Sequence, residues 1–215
     1  MLKWCKKQER GFFPMIKNVV FDFGQVLVRF EPEYMTGQYI KDENDIKLVS
    51  QVLFDRLYWD RLDKGTISDE EVVALSNKRL PERLHEKTAE VYYNWIYNIP
   101  QISGMEEIAK ELKEKGVRIF LLSNISTYFA AHAKEIPVLS HFEKCIFSAV
   151  CGHTKPNADM FAHLCKECRI NPSETLFIDD SEKNISGATD FGIQGYLFDG
   201  DAGKLRGYLK SVGIL

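Results

Sequence analysis

Two apolar runs far apart in the chain, Val19-Val20-Phe21 and Leu176-Phe177-Ile178, both end abruptly in acid: Asp22 closes the first and Asp179-Asp180 the second. Runs this short and this apolar suit strands buried on both faces, as in a parallel sheet. The chain repeats the pattern. Val117 to Leu122, Cys145 to Val150, Thr175 to Ile178 and Gln194 to Phe198 read as strands beside Val19 to Phe21. Amphipathic stretches at Gly104 to Lys115, Ser126 to Glu135, Ala158 to Arg169 and Glu182 to Asp190 read as helices between them. Gly116 and Gly192 stand where C-terminal caps fall. Such alternation predicts an α/β fold, a doubly wound parallel sheet covered on both faces. Ligands of these sheets bind outside the carboxyl ends of the strands, where Asp22, Asp179 and Asp180 are expected. Three acids at two strand ends point to one divalent cation and a reaction on phosphate.

Residues 32–99 break the rhythm. They hold no convincing strand, and their apolar residues recur at helical spacing, as in Val52, Leu53, Leu57 and then Val72, Val73, Leu75. Ser68-Asp69-Glu70-Glu71 has the spacing of a capping box, and Pro81 and Pro100 mark boundaries. The expected organisation is a core built from 15–31 and 100–215, with a helical insert over 32–99 after the first strand. Residues 1–14 are read as an N-terminal extension ahead of Met15. Lys3, Lys6, Lys7, Glu9 and Arg10 surround a few aromatics there, without the apolar centre of a signal peptide.

A formal net charge of −3 over 215 residues gives no basic footprint for nucleic acid. No apolar stretch approaches the roughly 20 residues of a membrane span. Five scattered cysteines, an odd number, fit a reducing cytoplasm better than a disulfide framework. Cys165-Lys166-Glu167-Cys168, with Cys151, His153 and His163 nearby, invites a zinc site. Both cysteines of that pair fall on a predicted amphipathic helix, however, and no second pair follows at zinc-ribbon spacing. Buried small hydrophobes are the better reading.

Four elements line up in order: Asp22 in Phe21-Asp22-Phe23-Gly24; Ser123-Asn124 at the end of Ile119-Phe120-Leu121-Leu122; Lys155-Pro156 in Gly152-His153-Thr154-Lys155-Pro156; and Asp179-Asp180, followed by Asn184 and Gly187-Ala188. Each alone has a bland alternative as a turn, a helix cap or a solvated loop residue. Together they resemble the haloacid dehalogenase-like hydrolases, from Ile16 to Leu215. The resemblance implies a Rossmann-like core with a helical cap, a Mg²⁺ cofactor and a small phosphorylated metabolite as substrate. It calls for no nucleic acid, membrane or obligate protein partner.

The residues support roles of their own. A phosphomonoester dianion repels an anionic carboxylate unless its charge is neutralised, and Mg²⁺ on one or two carboxylates does this. Asp22 and Asp180 are the chosen ligands, with the Gly24 carbonyl, and Asp179 is a further ligand or an outer partner. Lys155 adds a compact positive charge near nucleophile and phosphate. The Ser123 hydroxyl and Asn124, with the backbone N–H groups that follow, are expected to cradle phosphate oxygens. Resemblance then implies that Asp22 attacks phosphorus and that water hydrolyses the aspartyl-phosphate.

One departure matters. Most phosphatases of this superfamily carry a second aspartate two residues after the nucleophile, as acid and base, and here that position is Gly24. Such groups contribute typically about 10²–10⁴-fold, so a substitute acid, a slow reaction or a better leaving group is implied. The Asp-x-Gly variant is similar to the bacterial subgroup containing α-glucose-1-phosphate phosphatases, which points towards sugar phosphates. Metal-independent 2-haloacid dehalogenases also lack that aspartate, because a halide leaves unprotonated. They do not present a paired acid such as Asp179-Asp180. A phosphate-binding or regulatory protein on the same fold is the third reading. In the insert, Tyr34, Tyr58, Trp59, Tyr92, Tyr93, Trp95 and Tyr97 mostly suit packing at helical spacing, and Tyr58-Trp59-Asp60-Arg61 is the stretch expected nearest a substrate.

Overall fold

Four residues with no exposed side chain, Asn18–Phe21, form β1, and the rest of the sheet is built around them. The computed structural model describes residues 15–215, so the expected extension over 1–14 lies outside the described residues. β2 (Arg118–Ser123) and β4 (Thr175–Asp179) flank β1 on either side, both parallel to it. β3 (Lys144–Phe147) lies outside β2 and β5 (Gln194–Leu197) outside β4, giving the all-parallel order β3-β2-β1-β4-β5. The strand order therefore reverses at β1, and a crevice opens at the carboxyl ends of β1, β2 and β4.

Alternation along the strands loads both faces. Val19, Phe21, Ile119, Leu121, Leu176 and Ile178 point into one apolar cluster, and Val20, Phe120, Leu122 and Phe177 into another. The first cluster is shared with Ile108, Ala109 and Leu112 of a helix over Met105–Glu114. The second takes Met160, Phe161 and Leu164 from Ala158–Cys168 and Ala188 from Glu182–Asp190. This is the three-layer α/β architecture the alternation predicts.

Between β1 and β2 run six α-helices: α1 (Pro32–Gly37), α2 (Glu43–Leu53), α3 (Arg56–Asp63), α4 (Asp69–Asn77), α5 (His85–Asn94) and the Met105–Glu114 helix already described. The Met105–Glu114 helix is then α6. Ser68 opens α4 with a complete capping box: its hydroxyl accepts the Glu71 N–H at 3.1 Å, and the Glu71 carboxylate accepts the Ser68 N–H at 2.9 Å. The first apolar cluster continues into this segment through Val49, Leu53, Val72 and Val91.

After β2 come α7 (Thr127–His132) and, following β3, the single turn α8 (Ser148–Cys151). Ala158–Cys168 is α9 and Glu182–Asp190 is α10. Gly116 and Gly192 adopt the positive φ expected of C-terminal caps, 78° and 95°. The expected strand over Cys145 to Val150 is cut short at Phe147, because the Ser148 hydroxyl accepts the Ile125 N–H at 2.9 Å and turns the chain into α8. The helix expected over Ser126 to Glu135 tightens into a 3₁₀ turn at Ala133. A last helix, α11 (Ala202–Ser211), packs Leu205 and Leu209 inward from an Asp201 cap.

Candidate active site

The carboxyl ends of β1, β2 and β4 deliver their side chains to one cavity of about 420 Å³, lined by Asp22, Gly24, Ser123, Asn124, Lys155 and Asn184 among others. At its base sits a buried ammonium. Lys155 Nζ lies 2.8 Å from Asp22 Oδ1 and 2.7 Å from Asp179 Oδ2, with its side chain 1% exposed. Burial alone would drive that lysine towards neutrality, but the two carboxylates override it and hold its pKa above the ordinary value.

Asp22 follows β1 directly, and its Oδ1 accepts the Phe23 N–H at 2.7 Å as well as the Lys155 contact. Burial pushes the Asp22 carboxyl up to about 7, Lys155 opposes the rise and Asp179 adds to it. A divalent cation at the site would act with Lys155 to favour the carboxylate. Asp179 is fully buried and fully committed. It accepts from Lys155 Nζ, from the Ser181 N–H at 2.8 Å and from Asn184 Nδ2 at 3.0 and 3.1 Å. Asp180 reaches solvent at the rim, yet partial burial, and then the Asp179 charge, raise it.

Asp22, Asp179 and Asp180 each offer an oxygen within 4.8 Å of the others. An all-carboxylate donor set fits a hard cation such as Mg²⁺ and not a thiol-seeking one. No cysteine joins a metal-suited group among the described residues. Burial pushes the thiols of Cys165 and Cys168 up to about 11 and about 12, as expected of small core residues.

Ser123 ends β2, buried, against the same cavity. Asn124 points its carboxamide at the chain opposite: Nδ2 donates to the Lys155 carbonyl at 3.0 Å, and Oδ1 accepts the Lys155 N–H at 2.9 Å. Its side chain thus holds the lysine in place. Gly24 lines the cavity and pairs with Val28 in an isolated β-bridge, and the adjacent Gln25 takes φ 56° with its N–H on the Val28 carbonyl.

The far wall comes from the helical segment. Arg56, Trp59 and Asp63 of α3 line the cavity with Trp95 and, just before the segment, Phe30. Rings of Phe30, Trp59 and Trp95 meet edge to face at 5.1–5.5 Å. Of Tyr58-Trp59-Asp60-Arg61, only Trp59 reaches the cavity. Tyr58 is turned inward, accepting from Arg79 at 3.2 Å, and Asp60 pairs with Arg56 at 2.6 Å on the surface. Arg56 and Asp63 carry no motif. Their signal was only that positions 56, 59 and 63 share one face of a helix.

A family model of haloacid dehalogenase-like hydrolases matches residues 16–192. The chain belongs to that family and is a hydrolase of it. It is 28% identical over 197 residues to a D-ribitol-5-phosphate phosphatase of Bacteroides thetaiotaomicron, across 84% of this chain and 90% of the relative. A haloacid dehalogenase family enzyme from the same bacterium, solved in complex with magnesium and inorganic phosphate, superposes with a TM-score of 0.70 at 25% identity, covering 88% of this chain and 98% of that one. L-2-haloacid dehalogenase of Xanthobacter autotrophicus shares the fold, with a TM-score of 0.66 at 17% identity over 93% of this chain and 84% of its own. No helix among the described residues is long and apolar enough to cross a membrane.

Proposed function

We propose that the chain is a Mg²⁺-dependent phosphatase of the cytoplasm that hydrolyses small phosphorylated metabolites through an aspartyl-phosphate on Asp22. The observation that carries this reading is the gathering of Asp22, Asp179 and Asp180, with oxygens within 4.8 Å of one another, and a buried Lys155 between Asp22 and Asp179. A phosphatase named for ribitol phosphate and a related structure holding magnesium and phosphate support it.

The roles follow from the bonds. Lys155 and the Phe23 N–H hold Asp22 Oδ1, which leaves Oδ2 as the oxygen free of those contacts and fit for attack. Asp180 and the Gly24 carbonyl join Asp22 as metal ligands. Asp179, whose oxygens are spent on Lys155, Ser181 and Asn184, acts as the outer partner that keeps the lysine charged. When bound, Mg²⁺ neutralises phosphate charge and orients the phosphoryl group for in-line attack. Ser123 and backbone N–H groups around Asn124 bind phosphate oxygens, while the Asn124 carboxamide fixes Lys155.

Residues 32–99 serve as a cap over a core of 15–31 and 100–215. Arg56, Trp59, Asp63 and Trp95 supply its side of the cavity. Sugar phosphates are the first choice of substrate. The aromatic wall suits the apolar face of a sugar ring, and the absent acid at Gly24 favours an anomeric oxygen, a less basic leaving group, as in α-glucose-1-phosphate phosphatases.

Phosphate release from a panel of sugar and polyol phosphates, with Mg²⁺ and with chelator, beside Asp22→Asn, tests the reading. Release requiring both metal and Asp22 supports it. Halide release from 2-haloacids without metal would replace it with a dehalogenase, and phosphate binding without turnover would leave a binding protein.

A further inference from the structure

The proton that Gly24 cannot supply has to come from another wall of the same cavity. Three charged side chains besides the metal-site acids and Lys155 line it: Arg56 and Asp63 on α3, and Lys183 at the start of α10. Asp60 is taken by Arg56 on the surface. Arg56 is the other half of that ion pair, and a guanidinium is no general acid. Lys183 is exposed. That leaves Asp63, partly buried at the C-terminal end of α3 and lining the cavity that Asp22 lines.

We propose that Asp63 is the general acid and base of this active site, contributed by the helical segment in place of an aspartate at position 24. The inference rests on the phosphatase reading and deepens it. In the first half-reaction Asp22 Oδ2 bonds to phosphorus while the bond from phosphorus to the leaving oxygen breaks. The electron pair stays on that oxygen, which takes the proton of the Asp63 carboxyl and departs as an alcohol. In the second, a water oxygen attacks the aspartyl-phosphate and the phosphorus–Asp22 bond breaks. Asp63 accepts the water proton and is restored as an acid.

Two features fit Asp63 to this task. Burial pushes its carboxyl up to about 6, against the pull of Arg56 and Lys155 and with the push of Asp60, so a sizeable protonated fraction persists towards neutral pH. Its position is also fixed to the core. Gly65, two residues on, turns at φ 65° against α8, where an added Cβ would lie 3.0 Å from the Ala149 carbonyl oxygen. Ala149 in turn donates its N–H to the Ile125 carbonyl beside Ser123 and Asn124. The end of α3 is thereby tied to the phosphate side of the site.

The test is the dependence on leaving group of wild type, Asp63→Asn and Asp63→Glu, using an alkyl phosphate and p-nitrophenyl phosphate with Mg²⁺. Loss of the acid predicts that Asp63→Asn slows single-turnover release of the alkyl alcohol by about 10²–10⁴-fold while sparing the nitrophenolate burst, which needs no proton. Loss of the base slows the later steady turnover of both esters alike. Asp63→Asn also removes the fall of kcat at high pH, and Asp63→Glu restores part of the rate. An equal loss in single-turnover alcohol release from both esters, or a rise in KM with kcat unchanged, would make Asp63 a structural or substrate-binding residue and overturn the proposal. Failure of wild type on both esters, with every sugar phosphate silent, would instead remove the phosphatase reading beneath it.

Discussion

Asn124 closes both ends of its carboxamide on the backbone of a single residue, Lys155: one hydrogen bond to the carbonyl at 3.0 Å and one from the N–H at 2.9 Å. The two lie on different loops, after β2 and before α9, so this pair holds the loop after β2 against the lysine whose ammonium meets Asp22 and Asp179. Asn124→Ala should leave both backbone groups of Lys155 short of a partner and cost about 1–3 kcal/mol in denaturant unfolding. Because the lysine is also freed to shift, kcat should fall by about a hundredfold in protein that is still folded. Unchanged turnover would deny the pair its positioning role.

Lys155 compensates two carboxylates with almost no solvent, the Asp179 side chain being 0% exposed. Lys155→Met removes that compensation and should destabilise the fold by about 3–5 kcal/mol. Mg²⁺ should then raise the melting temperature more in the variant than in wild type, since the cation is left as the sole counter-charge. An equal Mg²⁺ shift in both proteins would count against a metal at these acids.

A Cβ at Gly24 meets nothing within 4 Å, so the position admits a side chain without a clash. Gly24→Asp should fold, and in the Asp63→Asn background it should restore turnover of alkyl phosphates, by up to about 10²–10⁴-fold. Rescue is read from kcat on the alkyl ester. Its absence would mean that an acid at position 24 cannot reach the leaving oxygen here.

Asp63 also leaves a mark on stability. Its folded pKa of about 6 stands above the ordinary 3.8, so the folded state holds its proton more tightly. This contribution favours folding below pH 4 and is lost as pH rises from about 4 through about 6, a change of about 3 kcal/mol at most. Asp63→Asn escapes that loss. The difference between variant and wild type should be flat below pH 4, then turn in favour of the variant by pH 7, measured by urea unfolding without metal. A difference independent of pH would place Asp63 in an ordinary solvated setting.

The strand ends were legible because burial on both faces demands unbroken apolar runs, and an acid that interrupts one has no place in packing. Ser123, Lys155 and Asp179 were readable as an ordered series. What each does to the others was not. Nothing in Ser123-Asn124 tells that the carboxamide turns to a loop thirty-one residues on. Asp63 was hidden for a related reason. One acid in an Arg- and Asp-rich helix reads as solvated until α3 is placed, and its placement hangs on the close approach of Gly65 to Ala149. The strand over Cys145 to Val150 was overrun since Ser148-Ala149-Val150 continues the apolar pattern, and only the Ser148 bond to Ile125 ends it.

The base of the cavity gathers three carboxylates against one ammonium. Once Asp22 and Asp180 are ionised, two negative charges are in excess, and a phosphate dianion arriving alone meets repulsion. A divalent cation at the proposed site would cancel that excess, so ordered binding is expected: metal first, anion second. Free Mg²⁺ would then govern how much of the enzyme is open to substrate, and inorganic phosphate should compete for the site only once the metal is in place.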